Sequence, residues 1–247
     1  MKKIVIIGCG FGGLFAAKYL SKFRGHLEVT VIDKQVNFNF LPMLPDIIGR
    51  GIEPRALTFS IQKLSNKYRF NFIKEEVVAL DLDKKSVLGT ASNLNYDYLL
   101  VSSGSQTNFY GNEEIKKYAY KLDDAVDGVL ISKALREKEC DVYLIGGGGY
   151  TGIEVATNLR LFLEKNHKDK RIIIVERANS ILGPLPQWMK DYASYNLLKM
   201  RIEALTNTSV NKIDGASVSL SSGEGFNNSM LLWAAGVETS AFSKGLN

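Results

Sequence analysis

The stretch Ile4-Val5-Ile6-Ile7-Gly8-Cys9-Gly10-Phe11-Gly12-Gly13 decides how the rest of the chain is read. An apolar run rich in β-branched residues ends in glycines. Leu14, Phe15, Ala17, Tyr19 and Leu20 then keep roughly helical spacing, so the segment reads as strand, glycine turn and helix. A second strand, Leu27 to Ile32, ends in Asp33, twenty residues after Gly13. Gly8, Gly10 and Gly13 match the G-x-G-x-x-G spacing of a dinucleotide site. The chemistry asks for glycine at those places. A pyrophosphate is held by backbone N–H groups at a helix N-terminus, and side chains there would block its approach. Asp33 is then placed to accept a hydrogen bond from an adenosine ribose.

The pattern returns further along. Pro54 opens a helix expected to run to about Asn66, strands follow at Arg69–Ile73, Val77–Leu82, Ser86–Thr90 and Tyr96–Val101, and the last leads into Ser102-Ser103-Gly104. From about Lys121 the order restarts. Asp123 is the expected N-cap of a helix to about Glu139, Asp141–Ile145 is a strand, Gly146 to Gly149 a glycine turn, and Tyr150–Glu164 a helix. Arg171–Val175 is a strand ending in Glu176, and Gly147, Gly149 and Gly152 repeat the glycine spacing. A helix over about Gln187–Arg201, a strand-rich stretch from Ser209 to Leu220 and a strand over Met230–Ala235 complete the reading. One such glycine motif is weak; two, each after a strand and each answered by an acidic residue, imply an α/β fold with two Rossmann-like dinucleotide-binding domains. Two such sites on one chain would set a flavin against a nicotinamide, the arrangement of a flavoprotein reductase.

Composition agrees with an ordinary globular chain. A length of 247 residues allows one large or two modest domains, and 45% hydrophobic with 23% charged residues excludes disorder and fibrous repeats. The 31 basic residues exceed the 26 acidic ones by five but are scattered, which speaks against nucleic acid and suits an anionic ligand or an anionic membrane surface. Cys9 and Cys140 cannot build a disulfide framework. With His26 and His167 as the only histidines, no metal-ligand spacing is present. A reducing, cytoplasmic setting is expected. Met1-Lys2-Lys3 before an apolar run imitates a signal peptide, but its glycines mark structure. No run reaches the roughly 18 to 20 apolar residues of a membrane span.

With these residues in hand, the chain resembles the two-dinucleotide-binding-domain flavoproteins of the pyridine nucleotide-disulfide oxidoreductase superfamily, and most of all type II NADH:quinone oxidoreductase. The resemblance rests on Ile4 to Gly13, Tyr96 to Ser105 with Thr107-Asn108-Phe109, Gly146 to Glu154, and Leu232-Trp233-Ala234-Ala235-Gly236-Val237. It implies a second domain inserted into the first: 1–110 for FAD, 111–236 for NAD(H), and 237–247 as the start of a return to the FAD domain. It also implies that Gly8, Gly10, Gly13, Asp33 and Val77 hold FAD, with Pro42, Gly104 and Ser105 near the flavin. Gly147, Gly149, Gly152 and Glu176 would hold NADH, with Ala235 and Gly236 beside the nicotinamide. Glu154 matches a family position involved in hydride and quinone chemistry; the plain alternative is a first-turn glutamate complementing the helix dipole.

The same resemblance implies a quinone acceptor, peripheral contact with the cytoplasmic face of a membrane and a homodimer. Disulfide reductases carry a cysteine pair after the second strand, and Phe38 to Ile48 has none, so Cys9 and Cys140 read as packing residues. Against the family pattern, the chain ends eleven residues past Gly236. The expectation is a C-terminally truncated chain without the Gly-Asp segment that completes the FAD site or the domain with the quinone pocket, and so with little or no FAD bound. A non-catalytic NAD(H)-binding module, a sulfide:quinone oxidoreductase-like protein and another NAD(P)H-dependent flavoprotein reductase stay open as alternatives. Glu176 accepts from a 2'-hydroxyl and repels a 2'-phosphate, so NADH is expected over NADPH, with Arg177 as the opposing feature.

Overall fold

The computed structural model describes residues 1–246 and divides into two compact units. The first comprises Met1–Phe40, Thr58–Gln106 and the chain from Glu238 onward; the second comprises Leu41–Leu57 and Thr107–Val237. Leu41–Leu57 and Thr107–Tyr110 thus fall in the second unit and not in the 1–110 expected for the first domain; nothing in the composition of either segment sets it apart.

Each unit is built on a four-stranded, all-parallel sheet, and the two sheets share one order. In the first it runs Asn71–Lys74, Leu27–Asp33, Lys2–Ile7, Tyr98–Val101; in the second, Ile202–Leu205, Arg171–Val175, Val142–Gly146, Ser229–Trp233. The strand that opens each unit lies inside its sheet, paired on both sides, which is why it reads as a near-continuous apolar run with no polar alternation. Ile4 and Ile6 face a core with Leu14 and Ala17 of the Phe11–Leu20 helix. Val5 and Ile7 face the opposite core, with Ile32 and Val87. The second sheet repeats this, Tyr143 and Ile145 packing on Val155, Leu159 and Leu163 of the Tyr150–Lys165 helix, Val142 and Leu144 on Ile213, Val218 and Phe226. Each large side chain buried in this way contributes roughly 1.5–3 kcal/mol before conformational entropy is subtracted.

The repetition goes further than the motifs suggested. In each unit the third sheet strand in chain order is followed by a three-stranded antiparallel meander that leads to the fourth. These are Val77–Asp81, Ser86–Gly89 and Asn93–Asn95 in one unit, and Val210–Asp214, Ser217–Leu220 and Gly225–Phe226 in the other. Asp97 closes the first unit by accepting from Lys3 N–H and Lys2 Nζ, both at 2.7 Å, which ties the entry of the fourth strand to the first.

Two sequence expectations are corrected. The helix read over Pro54–Asn66 is broken: Pro54–Leu57 is one turn, Thr58–Ser60 is a strand paired with Asn37–Asn39, and a second helix runs Ile61–Tyr68. Thr58 and Phe59 favour an extended backbone. Ser60 then restarts the helix by accepting from Lys63 N–H. The N-cap of the Ala125–Glu137 helix is Asp124, which accepts from Val126 and Asp127 N–H; Asp123 is taken up by Thr107 Oγ1 at 2.6 Å and Lys121 Nζ at 2.7 Å.

Within the second unit, Leu41–Leu57 packs through the Leu44–Gly49 helix onto the Ala125–Glu137 and Tyr150–Lys165 helices. A Cβ on Gly49 would overlap the Asn158 carbonyl oxygen, and Gly128 lies under Ile47, so small residues permit this approach. Among the described residues no helix is long and apolar enough to cross a membrane.

Candidate functional site

Both glycine turns sit at the carboxyl end of their unit's first strand. Gly8 and Gly147 take φ of +94° and +103°, open to glycine and strained for other residues. Their N–H groups donate to Ile32 and Val175 carbonyls at 2.9 and 2.8 Å, which ties each turn to the neighbouring strand. A Cβ on Gly13 would overlap the Gly8 carbonyl oxygen, and a Cβ on Gly152 that of Gly147; these glycines set how closely each helix approaches its strand. The middle glycines differ. Gly10 and Gly149 are the N-caps of their helices, neither end has a side-chain cap, and a Cβ on either would meet nothing within 4 Å. Each turn therefore presents free N–H donors and the positive end of a helix dipole to open space, which is the cradle an anionic phosphate requires.

The acidic residues are bound to those same turns. Asp33 accepts from Cys9 N–H at 2.6 Å with one oxygen and from Gln35 N–H at 2.7 Å with the other. Glu176 does the same with Gly148 and Ala178, both at 2.7 Å. These contacts were not foreseen from the spacing. They aim each carboxylate, and an ionised carboxylate has lone pairs left for a further donor.

A cleft of about 180 Å³ in the first unit brings together Gly8, Asp33 and Val77, with Lys34, Glu75 and Ser103 that sequence reading did not single out. Gly104 and Ser105 follow Ser103 directly. The Glu75 carboxyl is held below the usual glutamate range, first by Ala91 N–H and then by Ser92, and so pins the turn after the meander's second strand. Ser103 Oγ lies 2.7 and 2.6 Å from the hydroxyls of Ser240 and Ser243. Pro42 falls in the exposed Leu41–Met43 turn of the second unit. A cleft of about 290 Å³ in the second unit gathers Gly147, Glu176 and Ala235 with Tyr110, Arg177 and Trp233; Gly149 and Gly152 continue the same turn, and Gly236 follows Ala235.

Glu154 lies five residues past the Gly149 cap, and no acidic residue occupies the first turn of its helix. The helix-dipole reading weakens accordingly, since that effect fades beyond the first turn. Although the residue as a whole is exposed, partial burial of its carboxyl, helped by the charge of Asp46, raises its pKa. Both cysteines are buried, and the Cys9 thiol is pushed up to about 12 by burial and the neighbouring Asp33. His26 and His167 are exposed, and no group of three or more His, Cys, Asp or Glu placed to share a metal ion occurs among the described residues.

Known proteins resemble this chain in sequence and in overall fold. Type II NADH:quinone oxidoreductase NdhA of Mycobacterium tuberculosis is 27% identical across 98% of this chain and 58% of its own length. Demethylphylloquinone reductase NdbB of a Synechocystis species is 29% identical across 99% and 64%. Among solved structures, NDH2 from Plasmodium falciparum in complex with NADH superposes with a TM-score of 0.85 at 26% identity, over 97% of this chain and 56% of that one. The chain thus spans a little over half to about two thirds of the length of these three relatives. With the profile of the pyridine nucleotide-disulphide oxidoreductases matching residues 2–246, nearly its whole length, the chain belongs to the pyridine nucleotide-disulphide oxidoreductase family.

Proposed function

We propose that this chain is the dinucleotide-binding part of a flavin-dependent NADH:quinone oxidoreductase, its first unit taking FAD and its second NADH. The observation that carries this is the duplication: two sheets of the same order, each ending in an uncapped glycine turn with open space before it and a carboxylate fastened beside it. The names of the relatives supply the reaction. When bound, FAD supplies a two-electron acceptor for the hydride of NADH, from which the electrons go to a quinone.

The chain's own residues have separable tasks in this reading. Backbone N–H groups around Gly8, Gly10 and Gly13, and around Gly147, Gly149 and Gly152, hold the two pyrophosphates. Asp33 and Glu176 orient an adenosine ribose in each cleft; Val77 lines the first, with Gly104 and Ser105 following its Ser103, and Ala235 lines the second, with Gly236 following it. Glu154 keeps a proton at its carboxyl to higher pH than an ordinary glutamate, which suits a group that hands a proton to a reduced acceptor. A cysteine relay of the sulfide:quinone or disulfide-reductase kind is disfavoured by the burial and raised pKa of both thiols. An apolar quinone acceptor would bring the protein to a membrane surface as a peripheral protein, on the cytoplasmic side.

The test is optical. The purified protein, supplied with excess FAD, is expected to take up the yellow flavin weakly and to lose that colour when NADH is added without oxygen; reoxidation by a soluble quinone is expected only from a protein of the relatives' full length. NADH binding with no flavin uptake would replace this reading with that of a nucleotide-binding module.

A further inference from the structure

Tyr110 stands in the second cleft in a conformation that costs a bulky side chain energy, with φ of +52°. Such a residue persists only where its surroundings over-determine it, and here they do. Its N–H donates to Asn108 Oδ1 at 2.7 Å. Asn108 is itself fixed to the end of the Ser229–Trp233 strand: its N–H donates to the Gly236 carbonyl at 3.0 Å, and its carbonyl accepts from Trp233 Nε1 at 2.8 Å. The Tyr110 hydroxyl donates to the Ala235 carbonyl at 2.9 Å. Tyr110 nevertheless remains 58% exposed. It is held in the open by a scaffold of four residues, Asn108, Trp233, Ala235 and Gly236.

Arg177 is what the ring touches. Its guanidinium carbon lies 5.9 Å from the Tyr110 centroid, within cation–π range. It makes no ion pair among the described residues, and it is the only cation lining this cleft. It also directly follows Glu176. The two neighbours have opposite consequences for the nucleotide, because a carboxylate accepts from a 2'-hydroxyl whereas an arginine accommodates a 2'-phosphate. Which of them an incoming ribose meets depends on where the guanidinium is kept.

We propose that Tyr110 is a positioning residue for nucleotide specificity: it holds Arg177 against its ring, so that Glu176 alone meets the adenosine ribose and NADH is preferred over NADPH. This deepens the reading of the second cleft as an NADH site and rests on it. A cation–π contact at an exposed site corresponds to a factor of about two to five in an equilibrium, so that is the size of effect to look for.

The experiment is titration of the purified protein with NADH and NADPH, followed by nucleotide fluorescence, across four variants. Tyr110→Ala is expected to raise NADPH affinity relative to NADH by about two- to fivefold, and Tyr110→Phe, which keeps the ring and loses only the bond to Ala235, to leave the ratio at its wild-type value. Combining Tyr110→Ala with Arg177→Ala is expected to cancel the gain. Arg177→Ala alone, an exposed change that leaves the Tyr110 scaffold whole, is expected to move the ratio by less than about twofold, because the guanidinium is already held away. A wild-type ratio in Tyr110→Ala, a gain that survives removal of Arg177, or a marked loss of NADPH binding in Arg177→Ala alone would each overturn the proposal. Wild-type protein that binds neither nucleotide would instead overturn the reading of the cleft itself.

Discussion

The Glu176 carboxylate accepts the Gly148 N–H at 2.7 Å, as the Asp33 carboxylate accepts the Cys9 N–H at 2.6 Å in the other unit. Each acidic residue therefore braces the glycine turn it serves, and its value to folding is separable from its value to a ligand. Glu176→Ala leaves the Gly148 and Ala178 N–H groups without their acceptor, and hydrogen bonds to charged groups are worth about 1.5–3 kcal/mol each. The Ala178 contact is exposed to solvent, so the expected loss lies near the lower end of that range. Urea unfolding of the variant without nucleotide measures it; unchanged stability would mean that water replaces the carboxylate at no cost.

Glycines of one motif are expected to fail in different ways. Gly152→Ala drives a methyl group into the Gly147 carbonyl oxygen and forces helix and strand apart, a clash that outweighs the ~1 kcal/mol by which alanine ordinarily stabilises a helix over glycine. Gly149→Ala points into open space, so folding loses only the preference of an N-cap for glycine over alanine, about 1 kcal/mol or less. The methyl group then occupies the approach to the uncapped N–H donors. Melting temperature should fall markedly in the first variant. Nucleotide affinity should fall in the second, with its fold intact. Equal melting temperatures would show that the close approach at Gly152 relaxes freely.

Much of this was readable beforehand, for reasons visible at particular residues. Gly8, Gly13, Gly147 and Gly152 were legible because contacts this close admit no side chain, which leaves a fixed spacing in the chain. Arg171–Val175 was legible because a strand covered on both faces is a continuous apolar run. Tyr110 was not, since its role comes from Arg177, sixty-seven residues away, and from a backbone conformation that a tyrosine does not advertise. The double contact of Asp33 escaped for a similar reason: spacing shows that an acid stands beside the turn, not that both its oxygens are already in use. The break at Thr58–Ser60 was set by the pairing partner Asn37–Asn39, a contact local propensity cannot see.

The cysteines can be tested by their silence. With the Cys9 thiol pushed up to about 12 by burial and Asp33, the thiolate fraction at pH 8 is on the order of one in ten thousand. Cys140 is buried as well, and burial raises its pKa too. Iodoacetamide at pH 8 is therefore expected to label neither in the folded protein and both in urea, read by mass. Rapid labelling of native Cys9 would reopen the cysteine-relay reading.

Glu154 yields a pH dependence whose sign follows from its environment. Burial of the carboxyl, and secondly the charge of Asp46, disfavour its ionised form in the folded state, so the folded protein binds its proton more tightly than the unfolded chain does. Stability from this group is then complete below the ordinary glutamate pKa, about 4.3, and is lost as pH rises through the raised folded value. Glu154→Gln keeps the side chain neutral throughout and should abolish that part of the slope. Asp46→Asn should reduce it only partly, because burial, the larger cause, remains. The measurement is urea unfolding between about pH 4 and 7 on all three proteins. If Glu154 also serves as a proton source, Glu154→Gln will slow quinone reduction while leaving NADH affinity unchanged, because the residue is not among those lining the second cleft. A variant with the wild-type stability slope would show that the carboxyl is solvated like any surface glutamate, and the proton role would fall with it.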